Sequence, residues 1–441
     1  MEQLRARVIA KPWYKWYAVG VLTAVYASSQ LDRQIMGIVL EPIKLELGAS
    51  DTAMGFLVGL TFAIFYATLG MPIAMLADRV NRRNIVAGAI SIWSAMTVLC
   101  GYAGSFVQLA LARIGVGIGE AGSTPPSHSI ISDLFPPATR GTAMGVFALG
   151  VNIGLLLAYL GGGWLSEIVG WRMTFVVVGL PGLLIAALLF LTVTEPVRGA
   201  SDAPTRRAPR QEAAPGFMTV ARHMWRVRSL RHATLGSTLA GFIGYGFTLW
   251  MPTFLIRSHG LSPTEVGLAL ALMTGVVGGL GTFVAGRMAD VLAARDVRWR
   301  AWIVAAGKGG YVPFLAAVFV VDDLWLALAL YIVPAFFGGF YLAPTFALAQ
   351  SLVSLRMRAL ASSIVLFVLN IIGMGFGPQL VGIMSDQFAP EYGKESLRMS
   401  LLVLSFLNLW CAYHYYLSGR ALPGDLEDQQ RALDTAERRA A

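Results

Sequence analysis

The feature that most constrains this chain is a series of about twelve apolar stretches of roughly 20 residues each, separated by short polar segments. Twenty helical residues are the length that crosses the hydrocarbon core of a bilayer. Charged residues make up only 13% of the chain, against roughly 25% in soluble domains. One soluble core cannot bury so much apolar surface, so the pattern predicts an all-helical integral membrane protein.

The apolar stretches form two sets of six. The first set lies near 16–40, 53–76, 84–104, 106–131, 140–167 and 172–194. The second lies near 232–257, 264–289, 299–320, 324–353, 357–384 and 396–418. They predict an N-terminal six-helix bundle in 1–194, a linker in 195–231, a C-terminal six-helix bundle in 232–418 and a cytoplasmic tail in 419–441.

The linker ends in an amphipathic segment, 217–226. Phe217, Val220, Met224 and Trp225 fall on one helical face, with arginines opposite. Such a face is typical of a helix that lies in the anionic headgroup layer of a membrane. A solvated basic linker explains the same residues, and both interpretations stay open.

Loop charges predict the orientation. One set of loops carries mainly acids: Glu41, Glu46, Asp51, Glu167, Asp322, Asp323, Asp386 and Glu391. The other set carries arginines at 79, 82, 83, 140, 295, 298, 300, 356 and 358, besides a basic N-terminus. Loops that are rich in lysine and arginine remain on the cytoplasmic side of the membrane. We therefore expect a multi-pass protein of a bacterial-type inner membrane with both termini in the cytoplasm. Because the arginines lie in membrane loops, the net charge of +9 does not indicate nucleic-acid binding.

The two halves repeat a short pattern. Ala74 precedes Asp78 by four residues at the end of the second stretch, and Gly286 precedes Asp290 in the same way at the end of the eighth. A six-plus-six repeat around a central site is typical of secondary transporters that work by alternating access. A channel would need a continuous polar pore, and no ring of like charges is visible.

The loop Asp78-Arg79-Val80-Asn81-Arg82-Arg83, the run Arg113-Ile114-Gly115-Val116-Gly117-Ile118-Gly119 and the segment Trp171-Arg172-Met173 resemble motifs of the major facilitator superfamily. The resemblance implies twelve transmembrane helices arranged as two six-helix bundles. It also implies that the loop stabilises one conformation, with a conformational gate formed by Asp78, Arg79, Arg82, Arg83 and Asp290.

Two segments are similar to the spinster-like lipid transporters: Leu31-Asp32-Arg33 in helix 1 and Gly119-Glu120-Ala121 in helix 4. This resemblance implies proton-coupled transport of a lysolipid or sphingoid-like amphiphile. The second half of the chain is almost free of charge at membrane depth, which suits an apolar tail. The alternative is a proton-coupled permease for a small organic anion.

Four ionisable residues fall well inside predicted spans: Asp32, Arg33, Arg113 and Glu120. Each charge costs about 2.5–3.5 kcal/mol at the centre of a membrane helix on insertion scales. We expect Arg113 to pair alternately with Asp32 and Glu120, which couples protonation to conformation. Arg33 is then free to bind an anionic headgroup. Static ion pairs between helices 1 and 4 are the structural alternative.

Tyr26, Tyr66, Tyr245 and Asn370 are further candidates for substrate binding, although packing between helices also explains them. Lys308 is expected to extend its amine to the inner membrane face. Catalytic and nucleotide-binding motifs are missing from the sequence, so an enzyme is not expected. We expect no cofactor and no metal, a monomer, and as partners only the substrate, protons and membrane lipids.

Overall fold

The computed structural model describes residues 11–77, 79–199, 201, 216–354 and 357–440. For Met71, Asp290, Ala359 and residues 432–440 it describes the backbone alone. Every regular element in this part of the chain is helical. An all-helical fold follows from the bilayer, because a helix satisfies its backbone hydrogen bonds internally.

The first half contains eight α-helices in its described part. They are α1 (Pro12–Leu47), α2 (Asp51–Val58), α3 (Leu60–Ala77), α4 (Arg82–Gly101), α5 (Phe106–Glu120), α6 (Thr124–Leu134), α7 (Pro137–Leu156) and α8 (Gly162–Thr192). A π-helical turn, Leu157–Gly161, joins α7 to α8. Gly170 has a φ of 73° and divides α8, so its two parts serve as the ends of two different spans.

The described part of the second half contains eleven α-helices. They are α9 (Phe217–Arg226), α10 (Arg228–His259), α11 (Pro263–Leu270), α12 (Gly278–Ala293), α13 (Trp299–Gly310), α14 (Val312–Val318), α15 (Leu324–Gly338), α16 (Leu342–Ser351), α17 (Arg358–Val368), α18 (Gly377–Tyr392) and α19 (Ser396–Ala440). π-Helical turns join α11 to α12 and α17 to α18. The predicted tail after 418 continues as helix α19.

Eight helical segments among the described residues are long and apolar enough to cross a membrane by length and composition. Two of them, Pro137–Thr192 and Leu360–Arg431, have 56 and 72 residues and hold more than one span each. The two predicted spans outside the eight are α1 and α5–α6, which carry the intramembrane charges. All twelve predicted spans lie on helices, and the twelve-helix fold is confirmed.

The chain forms two compact units. Unit 1 comprises Met1–Pro209 and Leu249–Ala271, and unit 2 comprises Arg210–Thr248 and Leu272–Ala441. Residues 249–271, which follow the linker in sequence, therefore pack with the N-terminal half. The two units are described separately below.

In unit 1, helices α1 and α7 approach closely at two glycines. A Cβ on Gly150 would lie 2.8 Å from the Thr23 carbonyl oxygen. A Cβ on Gly154 would lie 2.6 Å from the Gln30 Cβ and closer still to the Ala27 carbonyl oxygen. Small residues at such contacts let membrane helices pack backbone to backbone. This packing positions the part of α1 that carries Asp32.

Replacing Gly154 by valine is therefore expected to destabilise unit 1. The added side chain must push α1 away, an overpacking that costs about 1–3 kcal/mol or more. We expect the thermal unfolding midpoint in detergent to fall by about 5 °C. Gly145→Val on the same helix is the control, because no described atom lies within 4 Å of its Cβ position. Equal melting of both variants would refute this account of the contact.

Residues 249–271 are tied to α1 and α2 by ion pairs. Arg257 binds Asp51 with two hydrogen bonds of 2.7 and 2.6 Å and contacts the Glu41 carboxylate at 2.6 Å. Lys44 contacts Asp51 at 2.7 Å. The Asp51 side chain is buried, so these charges compensate one another away from water.

The end of α1 also binds the second part of α8. The Trp171 indole donates a hydrogen bond of 2.6 Å to Glu46, and the Arg172 guanidinium contacts the other carboxylate oxygen at 2.8 Å. The Trp171 and Arg172 hydrogen bonds hold the pKa of Glu46 below its usual value. The contact gives Trp171 and Arg172 a structural role at the start of the second part of α8.

The beginning of the predicted linker is held by hydrogen bonds within unit 1. Arg198 donates to the carbonyl oxygens of Ala77 and Val80 at 2.7 and 2.8 Å. The Gly199 amide donates to the Asp133 carboxylate at 2.9 Å.

Further on, α9 in unit 2 buries Val220 and Met224 and exposes Phe217 and Trp225. The amphipathic segment thus forms a helix in which the middle of its apolar face is buried.

Candidate functional site

Unit 1 brings the four intramembrane charges together on α1 and α5. We call them the charge cluster: Asp32, Arg33, Arg113 and Glu120. The exposed fraction is 1% for Asp32, 2% for Arg113 and 1% for Glu120. Burial of this degree is costly for ionised groups unless they are paired. The cluster is the strongest candidate for a functional site in this unit.

The ion pair within the cluster joins Arg33 to Glu120, at 2.6 Å between Nε and Oε2. The expectation that Arg33 stays free is wrong in this structure, whereas the alternation of Arg113 between Asp32 and Glu120 stays a prediction. Arg113 and Glu120 are seven residues apart, which separates their backbones by about 10 Å along α5. Arg33 reaches Glu120 across the interface between α1 and α5 instead.

The other acid of the cluster, Asp32, differs from Glu120 in its contacts. Neither carboxylate oxygen of Asp32 has a hydrogen-bond partner among the described residues. Arg113 donates to the backbone carbonyl of Asp32 at 3.5 Å, and its Nε has no partner in the described part of the chain. Within the same residues, the second oxygen of Glu120 is also without one. Several donors and acceptors of the cluster are therefore unused. In a purely structural ion-pair network we would expect these buried groups to be hydrogen-bonded to one another.

Two aromatic rings of α3 lie against the arginines. The Arg33 guanidinium lies 4.5 Å from the Tyr66 ring centroid and 4.9 Å from that of Phe62. Arg113 lies 5.7 Å from the Phe62 centroid. Cation–π contacts stabilise a desolvated guanidinium. Sequence reasoning placed Tyr66 among the candidates but missed Phe62, although the two rings are four residues apart on one helix face.

The closely spaced glycines of α5 explain how the cluster is assembled. A Cβ on Gly117 would lie 3.0 Å from the Phe62 carbonyl oxygen, and one on Gly119 would lie 2.7 Å from the Trp93 amide. The backbone of α5 therefore lies directly against α3 and α4. Because the helices approach so closely, Arg33 and Arg113 lie against the rings of α3.

The other candidate substrate residues belong to different helices. Tyr26 stacks on Phe147, with ring centroids 4.8 Å apart, and is thus in a packing contact. Tyr245 and Asn370 are half-buried in unit 2. Asn370 falls in the π-helical turn between α17 and α18. The structure thus gives each of the three a place on a helix, and their part in substrate binding stays a prediction.

The predicted gate residues lie in different environments. Asp78 falls outside the described residues, and Asp290 lies on α12 with its side chain outside the description. Arg79 is exposed. Arg83 lies 4.8 Å from the Phe190 ring centroid.

Arg82 is 2% exposed and contacts Asp133 at 2.5 Å and Glu195 at 2.7 Å. It also donates to Ser129 at 2.8 Å. Glu195, which sequence reasoning missed, lies just after α8 in sequence and accepts a further hydrogen bond from the Arg83 amide. Arg82 thus links α4, α6 and the segment after α8.

Replacing Arg82 by methionine is expected to lower the free energy of unfolding by about 3 kcal/mol, since removing one partner leaves buried charges uncompensated. Thermal unfolding in detergent measures the change. Arg79→Met serves as the control, because an exposed substitution of this kind usually changes stability by less than about 0.5 kcal/mol. If both variants unfold alike, Arg82 does not stabilise the unit.

In unit 2, Lys308 is 3% exposed, so the expectation that its amine reaches the membrane face is wrong. Its Nζ donates to the Tyr311 hydroxyl at 3.2 Å and to the Gly338 carbonyl at 3.3 Å. Gly338 is the last residue of α15, and cations favour helix C-terminal carbonyls. No carboxylate among the described residues pairs with Lys308. The sequence does show a lysine in the middle of a predicted span, but it does not show which way the side chain points.

Within the part of the chain that the structure describes, no group of three or more His, Cys, Asp or Glu side chains could hold a metal ion. The chemistry that the charge cluster can perform is exchange of protons and ion pairs among its own members.

Comparison with known proteins agrees with this architecture. The family model for the Major Facilitator Superfamily matches residues 22–422. An MFS-type efflux pump of Mycolicibacterium smegmatis is 36% identical over 95% of this chain and 96% of its own length. The sphingosine-1-phosphate transporter SPNS2 of Danio rerio is 25% identical over 91% of this chain and 82% of its own.

Among solved structures, a bacterial homolog of the human lysosomal transporter spinster, in an inward-facing and unoccupied conformation, superposes with a TM-score of 0.85. It is 33% identical, and the match covers 94% of this chain and 99% of that one. Proteins of this fold and family transport solutes and are not enzymes. The chain therefore belongs to the Major Facilitator Superfamily and, within it, is a spinster-like membrane transporter.

Proposed function

We propose that the protein is a proton-coupled transporter of an amphiphilic lysolipid or sphingoid-like substrate that works by alternating access. The observation that carries the proposal is the charge cluster, in which two buried acids and two arginines share one ion pair among the described contacts. A buried acid far from a cation favours its protonated form, and one beside a cation favours its ionised form. Glu120 has a direct cation contact, whereas the Asp32 carboxylate oxygens have none among the described residues.

The coupling step follows from the Arg33–Glu120 pair. In the proposed cycle this conformation has Glu120 ionised and Asp32 protonated. An anionic headgroup that binds Arg33 competes with the Glu120 carboxylate for the guanidinium. Once released, Glu120 lacks its cation and takes up a proton. Loss of the proton from Asp32 lets its carboxylate pair with Arg113, which already contacts the Asp32 backbone.

The proposed substrate class rests on the surroundings of Arg33. This guanidinium lies on the rings of Phe62 and Tyr66, so a bound anion would have apolar surface beside it. Sphingosine-1-phosphate, for which the similar transporter SPNS2 is named, has both parts of such a molecule, a phosphate and a long chain. The alternative substrate remains a small organic anion, which needs the cation but no apolar wall.

Alternating access requires contacts between the two sequence halves to break and re-form during the cycle. The ion pairs of Arg257 with Glu41 and Asp51 join residues from both halves of the sequence and would open in one state. The loop that carries Arg79, Arg82 and Arg83, with Asp78 and Asp290, is proposed to stabilise one conformation.

Loop charge supports a bacterial-type inner membrane and cytoplasmic termini. We propose a monomer that uses protons and needs no cofactor.

The function is tested in proteoliposomes with an imposed proton gradient. A fluorescent lysophospholipid and a sphingoid-type amphiphile are compared with short dicarboxylates. Gradient-driven movement of the amphiphiles alone supports the proposal. Movement of the dicarboxylates alone would replace it with the organic-anion permease.

A further inference from the structure

Unit 2 contains a basic cavity that shares no residue with the charge cluster. Its volume is about 430 Å³, and it is lined by Arg228, Arg231, His232, Leu417, Arg420 and Ala421. We call it the arginine cavity. Its cationic side chains come from the beginning of α10 and from the middle of α19, which are almost two hundred residues apart in sequence. Among the described residues, no carboxylate lines it.

The three arginines of the cavity have no direct acidic partner. Among the residues that the structure describes, none of Arg228, Arg231 and Arg420 makes an ion pair. One acid lies nearby: the Asp425 carboxylate accepts a hydrogen bond of 2.6 Å from the Ser229 amide, and its single negative charge offsets only part of the positive charge of three arginines. Three guanidinium groups around one concave space repel one another unless an anion joins them.

The two helices that form the walls of the cavity are held together by side-chain contacts. Ser418 donates to the Ser229 carbonyl at 2.8 Å, which fastens α19 to the start of α10. The His232 and His414 rings lie in contact, with 2.9 Å between their Nδ1 atoms. The cavity thus lies between two helices that are in direct contact.

The surroundings indicate the depth of the cavity in a membrane. Tyr416 and Tyr413 lie about one and two turns before Arg420 on α19, and their exposed fractions are 47% and 56%. Trp225 on α9 is 61% exposed and lies 5.9 Å from the Arg231 guanidinium. Exposed tyrosine and tryptophan are enriched at the level of lipid headgroups. A soluble anion has no need of this aromatic surface.

We propose that the arginine cavity binds the phosphate of an anionic phospholipid. Guanidinium groups match phosphate oxygens with paired hydrogen bonds, and basic pockets between membrane helices bind such headgroups. Leu417 and Ala421 offer apolar contact for the glycerol region. On the proposed topology the lipid belongs to the cytoplasmic leaflet. This site is independent of the transported substrate, since none of its residues belongs to the charge cluster.

The test is lipid binding to the full-length protein by native mass spectrometry, with phosphatidylglycerol and phosphatidylcholine titrated in parallel. Wild type is expected to bind phosphatidylglycerol roughly tenfold more tightly. The variant with Arg228→Gln, Arg231→Gln and Arg420→Gln should lose this preference. The control carries Arg287→Gln, Arg295→Gln and Lys394→Gln, which remove the same charge at exposed positions outside the cavity. It should keep the preference.

No preference in wild type, or equal loss in both triple variants, would overturn the proposal. Arg420→Gln alone guards against misfolding and is expected to weaken phosphatidylglycerol binding several-fold with unchanged thermal unfolding. Inorganic phosphate and glycerol phosphate are added as competitors. Displacement of the lipid by millimolar inorganic phosphate would assign the cavity to a soluble anion and contradict the proposed lipid site.

Discussion

Glu120→Gln is expected to abolish accumulation of substrate driven by an imposed proton gradient, with a fall of at least tenfold. Glutamine keeps the shape of the side chain but neither carries a charge to hold Arg33 nor binds and releases a proton. The cluster then has no acid that alternates between the Arg33 pair and a protonated form. Uptake of labelled substrate into proteoliposomes, with and without the gradient, measures the effect.

Glu46→Gln is the matched control for this variant. Glu46 is also a carboxylate paired with an arginine in unit 1, but its side chain is 49% exposed and lies outside the charge cluster. Its substitution should leave gradient-driven accumulation within about twofold of wild type, because exposed ion pairs contribute little. Undiminished accumulation in Glu120→Gln would exclude Glu120 from the coupling.

Asp32→Asn is expected to abolish gradient-driven transport as well, but without loss of stability. Among the described residues, the carboxyl group of Asp32 has no direct cation contact, and asparagine closely resembles its protonated form. Replacing a buried acid by a neutral group of the same shape is neutral or stabilising. We therefore expect an unchanged or higher thermal unfolding midpoint together with transport lowered at least tenfold.

The contrast with Arg33→Met makes this prediction specific. That substitution leaves Glu120 buried without its cation, which costs about 3–5 kcal/mol when the acid stays ionised. Arg33→Met should therefore unfold at a clearly lower temperature than Asp32→Asn. If Asp32→Asn is instead the less stable of the two, Asp32 is ionised and paired, and the proposed protonation states are reversed.

Much of the fold could be predicted from the sequence, since bilayer thickness sets the length of each apolar stretch. The meeting of α1 and α5 could also be predicted, because charges at membrane depth must find partners. The choice of partner could not. Asp32 and Arg33 are adjacent, so they point about 100° apart around α1. Which of them faces Glu120 depends on the rotation of α1, which Gly150 and Gly154 set through packing.

Two further results depend on contacts that sequence patterns do not contain. Arg82 is buried because the chain returns after α8 and places Glu195 beside Asp133. Lys308 turns to the carbonyl end of α15 because that helix stops at Gly338 in the middle of a predicted span. In both cases a segment distant in sequence supplies the partner, so the local sequence pattern does not predict the contact.

The most direct test of proton coupling is the proton flux that accompanies substrate. Proteoliposomes loaded with a pH-sensitive dye receive a lysolipid in the absence of any imposed gradient, with protein-free liposomes as the blank. Wild type is predicted to change the internal pH in proportion to the substrate moved, and Glu120→Gln to produce no change. Substrate movement in wild type without proton flux, or equal flux in both proteins, would contradict the account.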